Sequence, residues 1–145
     1  MSERAKLFAT IDELEALKGQ VTSSADNLLR ALRLSDAVQV DFRRHMDYLR
    51  LRRALNTKDT ASARGSAALG SAVPQRTAFL NREVTALTDN ALAQMVAQNP
   101  ALKAYSYAIE TSRRYQPHEL PPGEEELVRG LAPATMFWQY RLYQE

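Results

Sequence analysis

The sequence lacks cysteine altogether. Disulfide frameworks, thiolate nucleophiles and cysteine-based zinc sites are therefore excluded, and a reducing compartment is favoured. It also lacks an apolar run long enough to cross a bilayer, and charges interrupt its amino terminus where a secretory signal would need an apolar core. These absences predict a soluble, cytoplasmic protein with no membrane partner.

Net charge is nearly absent too, because 19 basic residues face 17 acidic ones for a balance of +2. Such a small excess argues against a nucleic-acid partner, whose signature would be steeply salt-dependent binding. The densest basic cluster is interrupted by Asp41 and Asp47, and we interpret it as a solvated helix face with intrahelical ion pairs. Its arginines are Arg43, Arg44, Arg50, Arg52 and Arg53.

Glycine and proline are scarce, at five and six residues, while helix-forming residues abound and apolar residues recur at helical spacing. No period-two alternation predicts a strand. The sequence predicts an all-α fold, an irregular multi-helix bundle of about six or seven helices, two of them long, forming a single helical domain over residues 1–145. The predicted helices cover about 3–18, 22–55, 60–87, 89–98, 102–114, 124–131 and 134–143.

Three details of these helices stay open at the level of sequence. Ser35-Asp36 could divide the second helix in two. Pro74 must either kink the third helix or lie in the first turn of a new one. The narrow apolar stripe of the first helix indicates that this helix lies on the outside of something larger.

No combination of residues completes an active site. Only two histidines exist, and His118 is followed by Glu119-Leu120-Pro121-Pro122, so proline stands where a zinc-binding HExxH helix needs its second histidine. Asp41 and His45 share a helix face, but without a third ligand an ordinary hydrogen bond is the simpler interpretation. We therefore predict no catalytic, cofactor-binding or metal-binding residue in this chain.

The segment 102–128 begins as a helix, stops at Pro117, turns at Pro121-Pro122 and starts a new helix with three glutamates. This order resembles the N-terminal helical region of oligoendopeptidase F-type zinc peptidases, the M3 family. Further landmarks, including a Tyr-Leu-Arg run, an Asn-Thr-x-Asp turn and a Phe-to-Leu helix with its glutamate, follow the family in order. The positions that carry the resemblance are Tyr48, Arg50, Asn56, Thr57, Asp59, Glu83, Tyr105, Arg113, Arg114, Pro117 and His118.

The resemblance implies a helical lobe beside a channel that admits short peptides, with zinc and HExxH in a C-terminal catalytic lobe. Its implied partners are that catalytic lobe and, in the complete enzyme, short peptides. The chain itself would hold no cofactor and would be inactive alone, as a shortened or naturally truncated form. Candidates for the lobe interface are Phe137, Trp138, Tyr140 and Tyr143.

The competing hypothesis is a stand-alone helical protein-interaction module without enzymatic activity. It is supported by the same aromatic carboxyl end and by the arginine-rich second helix. Large aromatic side chains so close together need a cover, so we also expect self-association.

Overall fold

A computed structural model describes residues 3–115 together with Glu124 and Leu127, and within that part of the chain it contains helices and no strand. The all-α prediction with two long helices is confirmed. Five α-helices are described, and the two further helices predicted after residue 123 lie outside the described residues apart from Glu124 and Leu127. The helices are α1 (Glu3–Glu15), α2 (Ala25–Leu55), α3 (Thr60–Thr85), α4 (Asp89–Gln98) and α5 (Ser106–Tyr115), with a 3-10 helix over Pro100–Tyr105.

Side-chain caps fix where the inner helices begin. Before α2 the Ser24 hydroxyl oxygen accepts the backbone N–H of Asn27 at 3.1 Å, and before α4 the Thr88 hydroxyl accepts that of Ala91 at 3.2 Å. Asp59 does the same at the start of α3. Each cap satisfies one of the backbone donors that a helix leaves unpaired in its first turn.

Two predicted boundaries are wrong. The first helix ends at Glu15 rather than near Lys18, and the chain then turns, with Gly19 at a φ of 79°, a conformation that glycine adopts without steric cost. The fifth predicted helix begins as the 3-10 helix, because Pro100 fixes its first turn and the Asn99 side chain accepts the N–H of Ala101 at 3.2 Å.

The second helix is continuous, so the division at Ser35-Asp36 that the sequence left open does not occur. The Asp36 carboxylate accepts a hydrogen bond at 2.7 Å from the hydroxyl of Tyr105, which lies in the 3-10 helix. Because the carboxylate is engaged by a distant residue, it does not compete for the backbone of α2 as aspartate does at helix ends.

Pro74 lies inside α3 rather than in the first turn of a new helix. An interior proline removes one backbone hydrogen bond and costs about 3 kcal/mol. Its neighbours Val73 and Leu69 are buried, and Gly70, four residues earlier, offers open space on its side-chain side. The packing of the surrounding residues therefore outweighs the tendency of proline to end the helix.

The apolar stripe of α1 is among the most completely buried parts of the described structure. Leu7, Ile11 and Leu14 are each 0% exposed, and α1 contacts both α2 and α3. The other faces of α1, with Arg4, Asp12 and Glu13, are exposed, so α1 packs on the outside of the two long helices, as its narrow stripe predicts. None of the described helices combines the length and the apolar character needed to span a membrane.

The buried residues form two clusters. The larger one joins the end of α1 and the start of α2 to the end of α3, the 3-10 helix and α5, and includes Leu28, Leu102 and Ile109. The smaller one lies between α1 and the middle of the α2–α3 hairpin. It consists of Leu7, Ile11, Val38, Leu69 and Val73.

A charged tie also links α3 to α1. The Arg76 guanidinium donates to Glu15 through Nε, at 3.0 Å, and through Nη2, and it donates to Asp12 at 2.6 Å. It lies 5.9 Å from the centre of the Phe8 ring. Hydrogen bonding to Arg76 holds the pKa of Glu15 below its ordinary value.

Replacing Arg76 with Met should destabilise the chain by about 1 kcal/mol at pH 7, a small value because the pair is partly solvated. Since the pKa of Glu15 is lowered on folding, this contribution is fully present above its unfolded value of 4.5 and is lost as pH falls through the folded pKa. Urea unfolding followed by circular dichroism at pH 7 and pH 3 checks this. Arg50→Met, whose side chain is 73% exposed, is the control. A difference between wild type and Arg76→Met that is equal at both pH values would contradict the account.

Candidate functional site

The positions that carry the family resemblance do not converge on one site. The structure distributes them among the α2–α3 turn, the turn after α1, the contact of the 3-10 helix with α2, and the contact of α5 with α4. Pro117 and His118 lie outside the described residues. So do the lobe-interface candidates Phe137, Trp138, Tyr140 and Tyr143.

The α2–α3 turn is organised by its own side chains. The Asp59 carboxylate accepts the Ser62 backbone N–H at 2.9 Å and the Ser62 hydroxyl at 2.7 Å, and it pairs with Arg52 at 2.9 Å. These hydrogen bonds, that of the Ser62 backbone first, hold the pKa of Asp59 below its ordinary value. Asn56 accepts the Lys58 N–H at 3.1 Å. The Asn-Thr-x-Asp landmark therefore supplies side chains that stabilise the tight turn between α2 and α3.

The remaining landmarks of this region lie on the surface. Tyr48 is exposed, with the Arg52 guanidinium 6.0 Å from its ring centre, and Thr57 is exposed as well. Arg50 pairs with Asp47 at 3.6 Å.

The interpretation of the arginine cluster as a face with intrahelical ion pairs is confirmed for two of its members. Arg44 pairs with Asp41 at 3.8 Å, and Arg50 pairs with Asp47, each three residues away on α2. Arg52 instead reaches across the turn to Asp59. Exposed pairs of this kind contribute little to stability, with typical values of about 0–1 kcal/mol.

Asp41 and His45 do not offer a metal site. The predicted hydrogen bond between the two residues is present, and its acceptor is the backbone carbonyl oxygen of Asp41, 2.9 Å from His45 Nδ1. The Asp41 carboxylate faces Lys6 and Arg44 instead, at 3.8 Å each. Across residues 3–115, Glu124 and Leu127, no three histidine, aspartate or glutamate side chains converge as metal ligands. Within this described part of the chain, the donor groups do not fit a zinc centre.

Glu83 holds the turn between α1 and α2 in place from α3. Its carboxylate accepts the backbone N–H of Gly19 at 2.7 Å through one oxygen and that of Val21 at 3.3 Å through the other. A carboxylate spanning two backbone donors makes charge-assisted bonds, which are about twice as strong as neutral ones. The sequence identified Glu83 as a landmark, but no local signal indicated a partner about sixty residues earlier.

Two further landmarks make contacts between helices. The Tyr105 hydroxyl donates to Asp36, and this bond raises the pKa of Tyr105. Arg113 of α5 pairs with Asp89 at the start of α4. Arg114 is exposed.

A cleft of about 220 Å³ lies between the start of α1, the second half of α2 and the first half of α3. We call it the tip cleft. Its floor is made of small and apolar residues, Leu49, Gly65 and Leu69 with Ala61 and Ser62. Its polar and aromatic lining consists of Arg4, His45, Tyr48 and Arg52.

The tip cleft was not predicted from the sequence. Arg4, whose guanidinium lies 5.7 Å from the Phe8 ring centre, comes from α1, whereas Gly65 comes from α3. The glycine alone carried a signal, since a glycine inside a helix often marks a close approach or an open space. Only the packing of three helices brings it beside the arginines.

Comparisons with known proteins agree with the family that the sequence resembles. A family model for the N-terminal part of M3 peptidases, described as Oligopeptidase F, matches residues 83–143. Oligopeptidase PepF of Bacillus subtilis (strain 168) is 31% identical over 121 residues, which are 81% of this chain and 18% of the relative. The chain therefore spans less than a fifth of that relative's length. No solved structure matches it significantly.

Replacing Glu83 with Gln should destabilise the chain by about 1–2 kcal/mol, because the amide presents one neutral acceptor to two backbone donors. The midpoint of urea denaturation measures the loss. Glu13→Gln, an exposed glutamate on α1, is the matched control and should change stability by less than about 0.5 kcal/mol. Equal effects of the two substitutions would show that the Glu83 bonds contribute nothing.

Proposed function

We propose that this chain is the non-catalytic helical lobe of an oligoendopeptidase F-like M3 peptidase, because residues 83–143 match the Oligopeptidase F family model and 81% of the chain aligns with Bacillus PepF at 31% identity. In this proposal it packs on a zinc-bearing catalytic lobe and walls the channel in which short peptides are hydrolysed. It acts in the cytoplasm as one domain over residues 1–145.

The observation that carries the proposal is the unequal coverage of the alignment with the Bacillus relative. Most of this chain aligns with less than a fifth of the Bacillus protein Oligopeptidase PepF. A segment that makes up less than a fifth of an enzyme suits a supporting lobe. No metal-binding group of side chains occurs among its described residues. The chemistry of peptide hydrolysis then belongs to the rest of the enzyme.

Rigidity is what such a lobe contributes to catalysis. A wall that holds a bound peptide in one orientation reduces the entropic cost of reaching the transition state. Three landmark residues bond to elements distant in the sequence. Glu83 accepts from the turn between α1 and α2, Tyr105 donates to Asp36, and Arg113 pairs with Asp89. These ties support a role for the landmark positions in keeping the lobe in one shape.

A surface for the catalytic lobe is available on the far part of α2. Leu51 is 65% exposed and Leu55 is 90% exposed, beside arginines of the same helix. Two leucines this exposed on one helix are typical of a surface that another protein domain covers. The sequence adds Phe137, Trp138, Tyr140 and Tyr143 as interface candidates.

The same exposed leucines favour the alternative, a stand-alone interaction module. The two functions differ in what the chain needs. The lobe requires its catalytic partner for any measurable effect on peptides, whereas the module would bind another protein and leave peptide hydrolysis unchanged.

A chimera tests the proposal. Bacillus PepF in which the aligned segment is replaced by this chain should retain zinc-dependent hydrolysis of a fluorogenic short peptide, whereas PepF with that segment deleted should lose it. This chain alone, with zinc added, should show none.

Robust cleavage by the chain alone would contradict the division of labour between lobes. A folded chimera as inactive as the deletion variant would contradict the proposed role in walling the channel. Unmodified PepF, carried through the same purification, is the reference for full activity.

A further inference from the structure

We propose that the tip cleft binds the free carboxylate end of a short peptide whose last residue is apolar. The choice of a peptide as ligand rests on the proposed function. The preference for a carboxylate on an apolar group rests on the cleft alone.

The size of the cleft sets the size of the ligand. Sites for whole small-molecule ligands measure roughly 300–1,000 Å³. At about 220 Å³ the tip cleft suits a single residue at the end of a chain. It is open to solvent at its rim, so the remainder of a peptide can extend away from the protein.

The apolar floor of the cleft is accessible because α3 has a glycine at this position. Gly65 on α3 leaves open the space in front of the Leu49 side chain, and a Cβ built on it would lie 3.5 Å from Leu49 Cδ1. This is ordinary van der Waals contact, so an alanine would fit without strain and would occupy part of the floor. Leu69, which is 3% exposed, closes the other side.

The rim supplies the positive charge. Arg52 is already paired with Asp59 at 2.9 Å. Arg4 forms no ion pair with any carboxylate of the described residues and packs instead over the Phe8 ring. An arginine held by an aromatic face keeps its donors for an incoming carboxylate, which it binds through two parallel N–H bonds.

The nearby carboxylates do not neutralise this arginine. Asp59 accepts from Ser62 and Arg52, and Asp41 faces Lys6 and Arg44. His45 uses Nδ1 toward the Asp41 carbonyl oxygen, an acceptor, so Nδ1 carries the proton. The cleft therefore combines one uncommitted cation with an apolar floor, the chemistry that recognises a carboxylate attached to a hydrophobic side chain.

Titration of the whole 145-residue chain with N-acetyl-Leu-Phe tests the proposal, followed by ¹⁵N-resolved NMR. Saturable shifts are expected at the amides of Leu49 and Gly65. The C-terminal amide of the same peptide keeps the shape and removes the charge, and it should bind at least roughly tenfold more weakly, the value of one charge-assisted hydrogen bond. Acid and amide binding equally would overturn the proposal, as would the absence of saturable shifts.

Two pairs of variants locate the site. Arg4→Gln should weaken binding of the acid roughly tenfold. Arg50→Gln on α2, whose guanidinium pairs with Asp47, should leave binding unchanged. Gly65→Ala should weaken binding of both peptides, whereas Gly70→Ala, where a Cβ meets nothing within 4 Å, should not. Both alanines raise helix propensity alike, so equal effects of the two would overturn the assignment to the tip cleft.

A final arm separates this inference from the proposed function. A non-peptide apolar acid, 4-phenylbutyrate, should compete with N-acetyl-Leu-Phe if the cleft reads only carboxylate and apolar group, whether or not the chain supports a peptidase. Failure of the PepF chimera with intact cleft binding would refute the lobe and retain the cleft. An active chimera together with no peptide binding to this chain would support the lobe and refute the binding site in the tip cleft. Binding that Arg4→Gln leaves intact would refute only the binding site.

Discussion

Enclosure of the α1 stripe by the α2–α3 hairpin is the interaction on which the rest of the described structure depends. Three side chains of that stripe are fully buried. Each such burial contributes roughly 1.5–3 kcal/mol, so together they are of the same order as the total stability of about 5–15 kcal/mol that natural domains possess. Without α1, the middle of the hairpin would expose Val38 and Val73.

The polar ties extend this enclosure without replacing it. Arg76 fixes the end of α1 to α3, and Glu83 fixes the turn that follows α1 to the same helix. Both act on one short segment from one face of α3, so the position of α1 is determined by packing along its length and by charge at its end. The tip cleft depends on the same placement, because Arg4 reaches the cleft only if α1 lies along the hairpin.

Much of this fold could be predicted from the sequence, because its helices carry their own start signals. The cap residues Ser24, Asp59 and Thr88 and the apolar spacing of α1 and α3 are local features. Two questions that the sequence left open were decided by distant contacts. Asp36 tolerates a helix interior because Tyr105 engages it, and Pro74 does so because buried neighbours surround it. The candidate site was beyond reach for the same reason: no sequence pattern relates Arg4 to Gly65.

Native-state hydrogen exchange of the amides of α1 tests the central claim most directly. If α1 is the element that holds the hairpin together, the amides of Leu7, Ile11 and Leu14 should exchange only through global unfolding, with the same free energy of opening as those of Leu28 and Val38 in α2. Exchange of the α1 amides through a local opening, several kcal/mol below the global value while α2 and α3 remain protected, would contradict the account.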